Sequence, residues 1–101
     1  MEHHPYITLN DDTEITYSDI KTDERGNEYI TMYFETPVQS GFHSMQVDYP
    51  KGIPEKIVGY SQQEIKSLMH HYDKVGHNAF GFAKEKYYKC TLRKDNQEKR
   101  V

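Results

Sequence analysis

The sequence predicts a small α+β domain, in which an antiparallel meander of three to five strands packs on one main amphipathic helix. Three observations lead to this fold class. Segments 29–36 and 42–49 alternate apolar and polar residues, as strands with one buried face do. Segment 61–75 places its apolar residues three and four positions apart, which is the period of a helix. The chain of 101 residues is long enough for one modest core, so we expect a single domain.

The chain opens with two candidate strands. Residues 6–9 are expected to form a short edge strand. The Asn-Asp-Asp segment 10–12 predicts a turn, because these side chains form local hydrogen bonds with the backbone. Residues 14–20 carry β-branched side chains in partial alternation and predict the second strand.

The strand at 29–36 follows the strongest turn signal in the chain. That turn lies at 23–28, where Gly26 and Asn27 can adopt the positive φ angles of a tight hairpin. Alternation divides the strand into two faces, one with Ile30, Met32 and Phe34 and the other with Tyr29, Thr31, Tyr33 and Glu35. We expect Pro37 to end the strand, because proline cannot donate to a ladder of hydrogen bonds.

Segment 42–49 predicts a further strand of the meander. Its alternation places Met45, Val47 and Tyr49 on one face and Ser44, Gln46 and Asp48 on the other. Residues 50–54 contain two prolines and one glycine, which indicates a loop. Residues 56–60 are a candidate for a fourth short strand.

The helix is expected to begin after Ser61. The segment from Ser61 to Glu64 fits a capping box, in which each side chain bonds the other residue's backbone N–H. One apolar stripe follows, made of Ile65, Leu68, Met69, Tyr72 and Val75. Gly76 is placed to end this helix in a left-handed cap.

Residues 77–92 leave the secondary structure open. They fit either a continuing helix or an aromatic loop followed by a strand with Tyr88, Cys90 and Leu92 facing the core. We therefore assign residues 1–92 to the α+β domain. Residues 93–101 are charged and predict a flexible C-terminal tail.

The charge is divided between the two halves of the chain. Residues 1–50 carry ten acidic and two basic side chains, whereas residues 51–101 carry six acidic and eleven basic ones. This division predicts an acidic sheet side and a basic helical side, and it favours binding to a partner over catalysis. The single cysteine and the lack of a signal-peptide pattern or a long apolar run predict a cytoplasmic protein with no membrane partner.

No motif in the sequence predicts catalysis, and we expect neither enzymatic activity nor a cofactor. His70, Asp73 and His77 would share one helix face and are of types that bind divalent transition metals. That face lies opposite the apolar stripe, so a solvated surface is favoured and no metal site is predicted. Cys90 lies in an alternating run, where it is interpreted as a small core residue.

The favoured function is that of a non-enzymatic protein-binding or regulatory module. A sheet face with carboxylates and exposed tyrosines suits a basic protein partner, through charge complementarity and aromatic anchors. The candidate residues are Glu28, Tyr29, Tyr33 and Glu35.

The alternative function is nucleic-acid binding by the basic helix face and the C-terminal segment. Basic residues that alternate with aromatic ones suit a single-stranded backbone. The candidate residues are Lys66, His70, Lys74, Lys86 and Lys89. The divided charge is also compatible with a homodimer that places acidic on basic surface.

Overall fold

A computed structural model of the chain describes the backbone of residues 3–99 and the side chains of residues 3–87. The elements are β1 (His3–Thr8), β2 (Glu14–Ser18), β3 (Lys21–Thr22), β4 (Glu28–Val38), β5 (Gly41–Tyr49), β6 (Pro54–Val58) and α1 (Gln62–Lys99). The α+β class is confirmed. Within the described residues, no helix combines the length and apolar character that crossing a bilayer requires.

The strands form one antiparallel meander. They are ordered β1-β2-β4-β5-β6, and the short β3 pairs with the start of β4, so the sheet has six strands. β4 and β5 share the longest ladder, which runs from the pair Ile30–Tyr49 to the pair Val38–Gly41. These two strands therefore form the centre of the sheet.

The predicted turn at 23–28 joins β3 to β4. Gly26 has a φ of 85°, while Asn27 does not share the left-handed conformation that we expected of both residues. The carboxylate of Asp23 accepts hydrogen bonds from the N–H groups of Arg25 and Asn27, at 2.8 and 2.9 Å. These bonds, led by the one from Asn27, hold the pKa of Asp23 below its usual value.

Pro37 does not end β4, contrary to our expectation. The strand continues to Val38, and Pro37 lies opposite Phe42 of β5. β2 pairs with β4 only as far as Glu35, so the last residues of β4 have a neighbouring strand on one side alone. A proline is tolerated in such an edge position, because the side of the strand without a neighbour has no ladder of hydrogen bonds to interrupt.

α1 begins with the predicted capping box. The N–H of Glu64 donates to the Ser61 hydroxyl at 3.2 Å, and the N–H of Ser61 donates to the Glu64 carboxylate at 2.9 Å. The predicted apolar stripe then packs on the sheet. The core contains Ile15, Ile30, Met32, Phe34, Met45 and Val47 from the strands, with Leu68, Tyr72, Ala79 and Ala83 from the helix.

Gly76 lies inside α1, so our prediction that it ends the helix is wrong. It is buried against the ring of Tyr49, and a Cβ atom at this position would lie 2.7 Å from Tyr49 Cδ2. The glycine therefore allows the helix and β5 to approach closely. α1 continues through residues 77–92. Of the two structures left open for that segment, the continuing helix is therefore confirmed.

The expected core positions of Tyr88, Cys90 and Leu92 lie outside the residues whose side chains are described. The flexibility predicted for residues 93–101 and the domain boundary at 92 stay predictions.

Candidate functional site

The sheet has a face that does not pack on the helix. Side chains alternate along a strand, so the residues between the core positions lie on the side of the sheet away from α1. We call this side the open face. Its central strands contribute Glu14, Thr16 and Ser18 from β2, Tyr29, Thr31, Tyr33 and Glu35 from β4, and Phe42, Ser44, Gln46 and Asp48 from β5.

Tyr33 lies on the open face but is covered, which corrects our expectation of an exposed ring. Only 8% of Tyr33 is exposed, because the ring of His3 stacks on it with 3.7 Å between ring centroids. Burial raises the pKa of Tyr33 above its usual value. The ring packs within the protein and has little surface left for a partner.

A hydrogen-bond network occupies one part of the open face. The Thr31 hydroxyl donates to the carboxylate of Asp48 and accepts from the ammonium of Lys21, both at 2.7 Å. The Thr31 N–H donates to the Ser18 hydroxyl at 2.9 Å. Thr31, which is itself buried, thus connects the ammonium of Lys21 to the carboxylate of Asp48 in one chain of hydrogen bonds.

Two carboxylates lie opposite each other in another part of the open face. Glu14 of β2 and Glu35 of β4 are direct cross-strand partners. Among residues 3–87, the recorded ion pairs are His4–Asp19 and Lys51–Glu55, and neither involves these two glutamates. Like charges in this position repel each other and destabilise the sheet.

Exposed apolar side chains adjoin this acidic pair. Phe42 is 62% exposed and Val58 is 57% exposed. Ser44 is the cross-strand partner of both Glu35 and Val58, while Phe42 precedes it by two positions on the same face. We call Glu14, Glu35, Phe42 and Val58 the acidic–apolar patch.

Both edges of the sheet are irregular. β1 contains Pro5, which has no N–H, and its register shifts next to that residue. β6 begins at Pro54, and Lys56 interrupts the extended backbone with a φ of 51°. Such features hinder the pairing of an additional strand, so the face of the sheet is a more accessible contact surface than its edges.

A groove of about 680 Å³ lies at the end of the sheet where β4 begins and β5 ends. Its lining residues are Asp23, Asn27, Glu28, Tyr29, Asp48, Pro50, Lys51, Phe80 and Lys84. The four residues predicted as one acidic face are therefore separated. Glu28 and Tyr29 line the groove, Tyr33 is covered, and Glu35 belongs to the acidic–apolar patch.

The predicted basic residues lie on the outer side of α1. Lys66, His70 and Lys74 are exposed at intervals of four residues, and Lys86 is exposed farther along the helix. Asp73 is also exposed and places a negative charge next to Lys74. The side chain of Lys89 lies outside the described residues.

The histidines of α1 do not form a metal site with neighbouring acids within the part of the chain whose side chains are described. His77 lies at the sheet side of the helix, with its Nδ1 3.4 Å from the hydroxyl of Tyr49. His70 instead lies beside the ring of His71. The structure does not bring His70, Asp73 and His77 together as a ligand set.

Comparison with protein-family models, with curated proteins and with solved structures found no match.

Sequence reasoning missed three residues of the acidic–apolar patch, namely Glu14, Phe42 and Val58. Phe42 has the same parity as Ser44 and Gln46 in the predicted strand, so the alternation already indicated its open-face position. The pairing of Glu14 with Glu35 needs the register between β2 and β4, and the chain between them contains β3. No local pattern specifies that register.

Proposed function

We propose that the protein is a small cytoplasmic, non-enzymatic binding or regulatory module, which contacts a basic surface of another protein through the acidic–apolar patch. The observation that supports this most is the direct opposition of Glu14 and Glu35 across β2 and β4. A basic side chain from a partner would neutralise both carboxylates and relieve their repulsion. The free protein thus holds an arrangement that binding improves.

Phe42 and Val58 supply the apolar part of the contact. Aromatic residues, including phenylalanine, are enriched in protein interfaces relative to the rest of the surface. The irregular edges of the sheet favour a partner that docks on the face. The aromatic anchor proposed here is Phe42, and Tyr33 does not serve because His3 covers it.

The test compares baits in a nuclease-treated lysate of the native host. Wild-type protein, the double variant Glu14→Lys/Glu35→Lys, Phe42→Ser and the control Glu24→Lys are immobilised, and retained proteins are quantified by mass spectrometry. Glu24 is an exposed acid in the turn before β4 and lies away from the patch. We expect a basic protein that wild type and Glu24→Lys retain and that both patch variants lose by at least about tenfold. Circular dichroism verifies that each bait is folded.

Two results would contradict the proposal. The first is that every basic protein retained by the wild type is retained equally by the patch variants. The second is salt-sensitive binding of mixed single-stranded oligonucleotides that Lys66→Gln/Lys74→Gln abolishes and the patch variants preserve, because this would assign the function to the outer side of α1.

A further inference from the structure

The side of the sheet that faces α1 is wider than the helix that packs on it. The five strands in the order β1-β2-β4-β5-β6 measure about 19 Å between the outer two, whereas a helix with its side chains is about 10 Å wide. α1 packs mainly on β4 and β5. β1 and β2 therefore form a strip beside the helix, and we call its helix-side residues Tyr6, Ile7 and Tyr17 the β1–β2 flank.

Apolar side chains are exposed on this flank and on the adjoining side of α1. Ile7 is 43% exposed, although its cross-strand partner Ile15 is buried in the core. Phe82 of the helix is 50% exposed, and its ring centroid lies 6.0 Å from that of Tyr6. The Tyr6 ring in turn lies 6.0 Å from the ring of Tyr17. Phe82 therefore lies along the boundary between the helix and the flank.

A groove of about 400 Å³ continues this boundary toward the turn between β1 and β2. Ile7 and Leu9 line it from the strand side, and Leu68 and His71 line it from the helix. His71 and Phe82 are three turns apart and share one side of α1. An incompletely covered, largely apolar strip thus runs beside the helix for about three turns.

The C-terminal part of α1 extends beyond the sheet. Ala83 is the last buried residue of α1 within 62–87, and the helix continues for 16 residues after it, or about 24 Å. The longest dimension of the molecule is 57 Å, which is the length of a helix of 38 residues, and the other two are 28 and 22 Å. Helices in proteins gain most of their stability by packing on other elements. One copy of the chain therefore has both a flank without a helix and a helix end without a sheet.

We infer that the protein forms a two-fold dimer in which the two α1 helices lie side by side and antiparallel, so that residues 84–99 of each copy cover the β1–β2 flank of the other. Packed helices have axes about 8–10 Å apart, which is about two strand spacings. A helix beside α1 therefore lies two strands away from β4 and β5, over β1 and β2. The two-fold axis makes the exchange reciprocal, so both copies are completed at once.

The length of α1 determines the pairing. Its midpoint lies between residues 80 and 81, and a two-fold axis there sets residues 84–99 of one copy beside residues 62–77 of the other. The latter segment is the one that runs along the groove at Leu68 and His71. Phe82 lies within one turn of the axis, so the exposed Phe82 rings of the two copies meet there.

The charges favour the same arrangement. In the sequence, residues 84–99 include six basic and three acidic residues. Asp11 and Asp12 are exposed in the turn between β1 and β2, and Asp11 lines the groove. The net basic helix end of one copy therefore approaches an acidic turn of the other, which favours this partner orientation.

The first test measures the oligomeric state of the full chain by sedimentation equilibrium between about 1 and 500 µM. We expect a reversible monomer–dimer equilibrium that Phe82→Ser and Ile7→Glu each weaken by at least about tenfold. Phe42→Ser is the matched control, because it removes a comparably exposed phenylalanine from the open face, and it should leave the equilibrium unchanged. Circular dichroism verifies that each variant is folded.

The second test determines the orientation of the helices from distances between spin labels. Lys66→Cys and Lys86→Cys, each combined with Cys90→Ser, place one label on an exposed position of α1 in each copy. The antiparallel pairing predicts separations of about 45 Å at position 66 and about 20 Å at position 86, because the two positions lie at different distances from the midpoint of α1. A parallel pairing would give similar, short separations at both.

Three results would overturn the inference. They are a wild-type chain that stays monomeric at about 500 µM, similar label separations at the two positions, and a dimer that Phe42→Ser disrupts and Phe82→Ser preserves. The outcome is independent of the proposed function, because the acidic–apolar patch lies on the other side of the sheet. Its partner is scored by capture, which Phe42→Ser should abolish without affecting the dimer.

Discussion

At the scale of single residues, Tyr72 joins the helix to the sheet by a polar contact inside the core. Only 4% of the residue is exposed, and its hydroxyl donates to the backbone carbonyl of Asp48 at 3.0 Å. Burial, together with the neighbouring Tyr49, raises the pKa of Tyr72 to about 12. The phenol is therefore held in its protonated form well above the pH at which a free tyrosine ionises.

This shift predicts a loss of stability in alkali. Between pH 10 and pH 12 the unfolded chain releases the Tyr72 proton while the folded chain keeps it, so the free energy of unfolding falls as the pH rises. The contribution of Tyr72 to the free energy of unfolding is fully present below pH 10. Its loss between pH 10 and pH 12 is on the order of 2 kcal/mol. Urea unfolding at several pH values measures it.

Tyr72→Phe separates this effect from other ionisations. At neutral pH we expect the free energy of unfolding of the variant to be about 1 kcal/mol below that of the wild type, because the hydrogen bond is missing. Between pH 10 and pH 11 the free energy of unfolding of the variant should fall by less than that of the wild type. Tyr87→Phe removes a phenol from a ring that is half exposed and serves as the control. Parallel curves for wild type and Tyr72→Phe would show that Tyr72 does not cause the alkaline loss.

At the scale of elements, the contact between α1 and β5 depends on a residue without a side chain. Gly76 lies 15 residues into a helix of 38 residues and adjoins the Tyr49 ring. Tyr49 also contacts the rings of Tyr72 and Phe80, with centroids 5.9 and 5.4 Å away. The ring therefore has packed neighbours that oppose its displacement.

Two glycines of α1 provide a matched comparison. Gly76→Ala places a methyl group against the Tyr49 ring, and we expect overpacking of about 1–3 kcal/mol to exceed the gain of about 1 kcal/mol in helix propensity. Gly81→Ala meets no atom within 4 Å and should stabilise the protein by about 1 kcal/mol. Urea unfolding gives both values, and equal stabilisation by the two substitutions would disprove the role of Gly76.

At the scale of the whole molecule, the divided charge of the sequence takes a specific form. The acidic half forms β1 to β5 of the meander, and the carboxylate of Asp48 is linked to the ammonium of Lys21 by hydrogen bonds through Thr31. The acidic–apolar patch retains Glu14 and Glu35 side by side. The register of β2 on β4 thus concentrates two of the predicted acidic side chains in one part of the open face.

Removing one charge from this patch should stabilise the free protein. We expect Glu14→Gln to raise the free energy of unfolding by about 0.5 kcal/mol at low ionic strength and by less in 1 M salt. The double variant Glu14→Gln/Glu35→Gln should gain less than the sum of the single variants, because each substitution already removes the repulsion. Glu24→Gln is the control for a charge change in the turn. A gain that is additive and independent of salt would contradict repulsion between the two carboxylates.

Local patterns in the sequence determined the elements that periodicity and capping specify. The alternation of 29–36 and 42–49, the capping box at Ser61 and the stripe after it each involve neighbours along the chain, and all of them are confirmed. The end of the helix was predicted wrongly because a glycine that ends a helix and a glycine that permits close packing have the same local sequence. The ring of Tyr49, 27 positions earlier, distinguishes them.

The candidate sites depended on tertiary structure to a greater extent. Sequence alone placed Glu35 on a polar face and predicted a carboxylate surface, since alternation assigns side chains to faces. Only the register of β2 on β4 brought Glu14 opposite Glu35. Only the stacking of His3 removed Tyr33 from the surface. Only the continuation of α1 placed Phe80 and Lys84 in the same groove as Glu28 and Tyr29. Faces follow from local geometry, whereas neighbours across strands follow from the balance of packing over the whole core.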